Sequence, residues 1–526
     1  MKFLIGLMSV LFSFHFSWAN SPFENMEGYK NSLGFSKFYS QQNPGRRLKV
    51  AVLDKGFHGY QREIGRTLPA GTRYVPGPVA TPENQNVEHG LKMAQILISL
   101  MTDDMRATQW MPELTLYNVF GYSNFKAAID DILTQKVDLV LYSEVWEYGG
   151  NFDGTGFINN EVNRATRNGV IWVNAAGNFA LTTYNAPIHT VKDEWVQLPD
   201  QNNALAIRCE NRNVKCPIKV VLSWNDFKND VELGTDKDLD LALTDDLLNI
   251  VQVSSLKQSK DPQENRPGYS KYPREIISAE LSQGLYFLRV KNRSQNFSNR
   301  DQLRITVDGE FIVMPSHSQG ESILNPADNT TVITVGASDS ERSSVSFSKD
   351  KPDLLAPSSI RVANGGEYRG SSNSAAMVAA GLGLLKSQEP RMTRKDLLDA
   401  VSSKYSWEQR GLSLNLLGFG PTGPGCFIDV IYNPAPGYIR DVLSKGGVLV
   451  ETTAAVRVMV PFDPLVIAPH LRRNLLNDMI VALPQGGYAI YPRRAMIPAG
   501  AVEIFQRPLE AGLCRPTPVN GKNFHL

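Results

Sequence analysis

Gly370-Ser371-Ser372-Asn373-Ser374-Ala375-Ala376-Met377-Val378-Ala379-Ala380-Gly381, running on into Leu382-Gly383-Leu384-Leu385, is the stretch that most narrows what this chain can become. It reads as a tight turn entering a helix of very small residues. Such a helix, apolar all round, belongs inside a protein, where Ala and Gly let neighbouring elements come close. A serine in the turn sits at the helix N-terminus, where unpaired N–H groups and the positive end of the dipole favour an oxyanion beside its hydroxyl. Taken alone, the same serine also reads as an N-cap on a buried helix.

Three further stretches supply what a nucleophilic serine lacks. Leu48-Lys49-Val50-Ala51-Val52-Leu53-Asp54-Lys55-Gly56 is a short β-branched run ending in a carboxylate and a glycine, which predicts a buried strand with Asp54 at its C-terminal tip. Glu88-His89-Gly90-Leu91 opens a helix with a histidine, and Val170 to Asn178 is a second strand that ends in small residues and an amide. Together they offer an acid to orient, a base to take a proton, a nucleophile and a neutral donor.

These pieces resemble the subtilisin-type serine peptidases (subtilases), in which the acid, base and nucleophile follow in the order Asp, His, Ser, as Asp54, His89 and Ser372 do here. The resemblance implies that Asp54 orients the imidazole, His89 acts as general base and then acid, and Ser372 attacks. Asn178 would then hold the oxyanion together with the Ser372 N–H. The acid, base and nucleophile motifs each depart from the family pattern. Asp-Thr/Ser-Gly is Asp54-Lys55-Gly56, the histidine motif is reduced to His89-Gly90 with Ala94, and the proline that closes the serine motif is Ala376. That missing proline removes a fixed φ from the first helical turn. In the family, the segment after Ser143 lies beside the bound peptide. Ser143, Glu144 and Gly149, with Gly177 beside the amide, are therefore the substrate-binding candidates. Glu144 departs from the usual Ser-Leu-Gly and reads either as selecting a basic or polar substrate residue or as a solvent-facing loop carboxylate.

A chain of 526 residues with a formal net charge of +1 gives no general reason to expect nucleic acid or an anionic membrane as partner; the expected partner is a protein or peptide substrate. Met1-Lys2 precedes an apolar run from Phe3 to Phe16, and Ser17-Trp18-Ala19 carries small residues where a signal peptidase needs them. Cleavage after Ala19 would make the protein secreted or periplasmic, and no later apolar run is long enough to span a membrane. Residues 20–46 are too short for the pro-domain that many secreted subtilases carry. Among the four cysteines, Cys209 with Cys216 and Cys426 with Cys514 is the pairing that keeps each bond inside one module.

The fold expected is α/β, a parallel sheet with helices on both faces, over residues 48–189 and 316–411 after an N-terminal segment at 20–47. Residues 190–315 break that rhythm with short alternating strands and predict an inserted β-sandwich. It resembles the pre-peptidase C-terminal domain through Leu222-Ser223-Trp224, Asp238-Leu239-Asp240-Leu241-Ala242-Leu243-Thr244 and Gly284-Leu285-Tyr286. Asp236, Asp238, Asp240 and Asp245 crowd one end of it, either as ligands of a structural Ca²⁺ or as solvated turn carboxylates. No other cofactor is expected. Residues 412–526 suggest a small, mostly β module. The function expected is a secreted serine endopeptidase working through an acyl-enzyme. A weakly catalytic binding protein and an esterase are the alternatives.

Overall fold

A computed structural model describes residues 22–33, 35, 46–80, 87–102, 111–261, 264, 266–318, 320–362 and 366–402, and the backbone of six strands between 426 and 503. The expected signal segment and the Cys426–Cys514 pairing lie outside the described residues.

Seven strands form the main sheet: β1 (Lys49–Asp54), β2 (Arg73–Val75), β3 (Glu113–Asn118), β4 (Leu139–Tyr142), β5 (Ile171–Ala175), β6 (Ile333–Ala337) and β7 (Leu354–Ala356). Their order is β7-β6-β5-β4-β1-β3-β2, and every pairing is parallel. Successive side chains along a strand point to opposite faces, and both faces here are covered. Val50, Val52, Leu139, Leu141, Ile171 and Val173 pack against helices α1 (His89–Met101) and α4 (Ser371–Gln388). Ala51, Leu53, Val140, Tyr142 and Trp172 pack on the other face against α2 (Tyr122–Gln135) and α3 (Phe157–Arg167). A further helix, α5 (Arg394–Ser402), contacts α4. The same alternation carries Asp54 onto the face of Val50 and Val52, where α1 and α4 lie.

The small-residue helix α4 is buried along nearly its whole length and touches β4, β5, β6 and β7. A Cβ at Gly383 would stand 3.0 Å from Met101 Cε and 3.2 Å from Leu139 Cδ2, which is why this helix can lie so close to α1 and the sheet. A short helix, Met26–Ser32, packs Met26 into the same core with Phe23, Leu33 and Phe35 beside it.

Between β5 and β6 the chain builds two antiparallel sheets. One runs in the order Ile250–Ser254, Leu239–Asp245, Gly284–Asn292, Leu205–Cys209, Ile312–Val313; the other runs Arg274–Leu281, Cys216–Trp224, Gln302–Gly309, Thr183–Pro187. Leu241, Leu243, Leu288 and Val290 of the first share one buried core with Val220, Leu222, Ile305 and Val307 of the second, as in a β-sandwich. Cys209 and Cys216 are joined by a disulfide. The four aspartates do not gather: Asp236 pairs with Lys260, Asp240 with Arg293 at 3.1 Å, and Asp245 accepts the Leu247 and Asn249 N–H groups of its own turn. Among the described residues, no three carboxylates of this set come within reach of one ion.

The sandwich is tied to the segment after β4. Lys219 Nζ meets Glu147 Oε1 at 2.8 Å, Asn151 exchanges hydrogen bonds with the Phe227 backbone, and the Arg274 guanidinium lies 3.7 Å from the Tyr148 ring centre. The six C-terminal strands form one sheet in the order Val448–Thr452, Val456–Val460, Cys426–Val430, Tyr488–Pro492, Asp478–Ala482, Val502–Glu503.

Candidate active site

β1 ends at Asp54, whose side chain is fully buried. Its Oδ1 accepts the Lys55 N–H at 2.9 Å, and its Oδ2 accepts the His89 Nδ1–H at 2.7 Å. That bond fixes the imidazole with Nε2 as the free nitrogen, the form a general base requires. The glycine after the histidine makes the approach possible. A Cβ at Gly90 would lie 2.5 Å from Asp54 Cβ and 2.6 Å from Phe57 Cε1, and the Gly90 N–H is held by Gly56 O at 2.9 Å. Gly56 is equally constrained, since a Cβ there would meet Val87 Cβ at 2.4 Å. These contacts account for the glycines of Asp54-Lys55-Gly56 and His89-Gly90.

Burial works to lower the basicity of His89. The Asp54 charge and hydrogen bond, with Glu144 adding to them and Lys55 opposing, overcome it and raise the pKa to about 9.

Ser372 stands in the first turn of α4, just after Gly370, whose φ of 155° is open to glycine and whose Cβ, if present, would meet Asn178 Nδ2 at 3.0 Å. Ser372 Oγ donates to Ser143 O at 3.1 Å rather than to His89. The missing proline is offset by side chains of the same turn: Asn373 Nδ2 donates to Ser358 O at 2.7 Å and Tyr368 O at 3.2 Å, and Ser374 Oγ to Ala356 O at 2.9 Å. Asn178 Oδ1 accepts the Ser371 N–H at 3.0 Å, which leaves its Nδ2 for another acceptor.

His89, Asn178 and Ser372 line one cavity of about 430 Å³ with Phe23, Lys92 and Tyr368. Asp54 sits behind His89. Four residues spread over more than 300 positions of the sequence therefore meet. Phe23 escaped the sequence reading because residues 20–46 look like a polar linker, yet the apolar spacing of Phe23, Met26 and Leu33 was a usable signal.

The substrate-binding candidates behave differently. None of Ser143, Glu144, Gly149 and Gly177 lines this cavity. Ser143 is buried and gives its carbonyl to Ser372. Gly149 is packed within 2.6 Å of Ile158 Cγ1 for any added Cβ, a structural contact. The Gly177 N–H goes to Ser371 Oγ at 3.0 Å. Glu144 is neither a free specificity charge nor a solvent-facing loop carboxylate. It is largely buried, and its Oε2 accepts from Lys55 Nζ at 2.7 Å. The carboxylates of Asp54 and Glu144 and the His89 ring each bring an atom within 4.8 Å of the other two.

Residues 292–420 match the model of the family described as the subtilase family, a stretch that contains Ser372 and α4. Over that stretch the chain is similar to the subtilases. The match takes in β6, β7, α4 and α5 of the parallel-sheet domain. Among solved structures, the CspB protease of Clostridium perfringens is 12% identical over 71% of this chain and 92% of its own, with a TM-score of 0.40. The nisin leader peptidase NisP of Lactococcus lactis is 14% identical over 73% and 89%, with a TM-score of 0.35. The pre-peptidase C-terminal domain of a Bacillus anthracis collagenase is 13% identical over 26% of this chain and 96% of its own, with a TM-score of 0.15. No curated protein matches the chain in sequence. Among its described residues, no helix is long and apolar enough to cross a membrane.

Proposed function

We propose that this protein is a serine endopeptidase that hydrolyses peptide bonds through an acyl-enzyme. The observation that carries this reading is the 2.7 Å bond from the His89 imidazole to the buried Asp54, with Ser372 and Asn178 on the walls of the same cavity. Rotation about χ1 would move Ser372 Oγ from Ser143 O toward His89 Nε2. The hydroxyl would then attack the scissile carbonyl as its proton passes to His89. Asn178 Nδ2 and the Ser372 N–H would hold the oxyanion, and the imidazolium would protonate the departing amine. Water activated by His89 would release the acid. Because the base must be neutral, the rate would rise with pH until His89 has lost its proton, which occurs near the raised value of about 9. The Cys209–Cys216 disulfide supports export to an oxidising compartment.

The parked Ser372 hydroxyl is the observation that favours the second reading, a binding protein with little turnover. A serine-directed fluorophosphonate separates the two. Labelling that disappears in Ser372→Ala and His89→Ala, with hydrolysis of a peptide library that follows it, supports the peptidase. A wild-type protein that neither labels nor cleaves at pH 9 rejects it.

A further inference from the structure

Two positions at which the chain departs from the subtilase pattern, 55 and 144, meet in space. Lys55 follows Asp54 directly, and Glu144 follows β4 two residues past its end, yet their head groups form a 2.7 Å ion pair. Glu144 is the more enclosed partner, with 21% of its side chain accessible against 43% for Lys55, and its carboxylate comes within 4.8 Å of both Asp54 and His89. Ionising a partly buried carboxylate is costly, and Lys55 offsets part of that cost for Glu144 beside Asp54. Continuity of the backbone holds it there. The Glu144 carbonyl accepts from Asn174 Nδ2 at 3.1 Å, and the Ser143 carbonyl before it accepts from Ser372 Oγ.

We propose, on the basis of the catalytic reading above, that Lys55 and Glu144 act as a positioning ion pair, in which Glu144 is a second carboxylate that stabilises the His89 imidazolium formed during proton transfer. Glu144 does not touch substrate in this scheme; it acts through His89. Lys55 clamps it and sets the balance of charge around the ring. The groups facing His89 are Asp54 and Lys55 from the end of β1, Glu144 from the end of β4, Glu88 and Lys92 from its own helix, and Arg369 from the turn before Ser372. Asp308 of the sandwich strand Gln302–Gly309, together with Glu147 and Lys219, surrounds the outer side of the pair. The upward shift of His89, to which Glu144 contributes and which Lys55 opposes, agrees with this arrangement.

The two charges act on His89 with opposite sign, and that gives a signature which loss of packing cannot imitate. Glu144→Gln removes a negative charge and leaves Lys55 unbalanced, so the imidazole should lose its proton at lower pH. Lys55→Met removes the opposing positive charge, so the imidazole should hold its proton to higher pH. For unit charges about 5 Å apart, an effective dielectric constant between about 20 and 80 makes each shift about 0.6 to 2.4 pH units. Two measurements on the full chain read it: the NMR titration of the His89 ring, and the pH dependence of fluorophosphonate labelling at Ser372. Opposite displacements of the two variants support the proposal. An unmoved His89 titration in Glu144→Gln, or displacement of both variants in one direction, overturns it. The NMR titration needs no turnover, so a protein that fails to label rejects the peptidase reading while the ring titration still decides the role of the pair.

Discussion

Gly90→Ala tests the packing that joins the acid to the base. In the native fold, an alanine methyl at this position would lie 2.5 Å from Asp54 Cβ, 2.6 Å from Phe57 Cε1 and 2.8 Å from Gly56 O. Carbon atoms in comfortable contact are about 3.5–4.0 Å apart, so the first turn of α1 must retreat from β1 by about 1 Å. Two of the three obstacles belong to backbone or to a Cβ on a central strand, which cannot swing aside as a long side chain could. The retreat lengthens the 2.7 Å His89–Asp54 bond past the range in which it orients the ring. Overpacking of this kind destabilises by about 1–3 kcal/mol. A misplacement of about 1 Å in a catalytic group lowers turnover by about 100-fold. Under the proposed function, kcat/KM for a peptide substrate should fall by that factor while the thermal midpoint drops by only a few degrees. A Gly90→Ala protein with wild-type kcat/KM and an unchanged His89 titration would refute the claim that this glycine sets the distance between the two side chains.

Glu275, buried in the sandwich, is held by Ser254 Oγ, Gln258 Nε2 and the Leu256 N–H, but its burial outweighs those bonds and raises its carboxyl to about 7. A carboxyl whose folded-state pKa is raised stabilises the fold below its unfolded value near 4.5 and loses that contribution as pH climbs through about 7. Glu275→Gln keeps the Oε1 acceptor and can donate to the Ser254 hydroxyl, so it should stabilise by about 3 kcal/mol at pH 8.5 and by little at pH 4, measured by denaturant unfolding at the two pH values. For the imidazolium at His89 the sign is the same: its stabilisation is full below about 6.5 and fades as pH rises through about 9. Asp54→Asn should flatten that part of the stability curve, as read by thermal unfolding between pH 6 and pH 10.

The parts of the molecule that were legible in the sequence are those in which one periodicity decides the environment. Val50 to Leu53 are apolar on both faces because both faces of a parallel strand are covered, and Leu239, Leu241 and Leu243 alternate because only one face of a sandwich strand is. Asp54, His89, Asn178 and Ser372 stood out because each ends a strand or opens a helix, where a polar side chain has a backbone reason to project from the sheet. The wall after Ser143 was harder to read. Its direction depends on the sandwich, whose Lys219, Phe227 and Arg274 take hold of Glu147, Asn151 and Tyr148. Nothing in the spacing of residues 143–150 records partners that lie more than 70 positions downstream.

Lys55 and Glu144 show the same limit in its sharpest form. Considered one at a time, a lysine beside a catalytic-type aspartate would drain charge from the base, and a glutamate beside a substrate wall would select for cations. The 2.7 Å contact reverses both meanings. With Glu144 engaged, the positive charge that Lys55 presents to Asp54 and His89 is partly offset. With Lys55 engaged, Glu144 has no free negative charge for a substrate cation, and its remaining influence falls on the nearest polarisable group, which is His89. Neither partner lines the cavity, so a peptide would meet little of their charge, whereas the Glu144 carboxylate stands within 4.8 Å of the imidazole. Substitution of either partner alone should disturb the titration of His89 more than the choice of substrate.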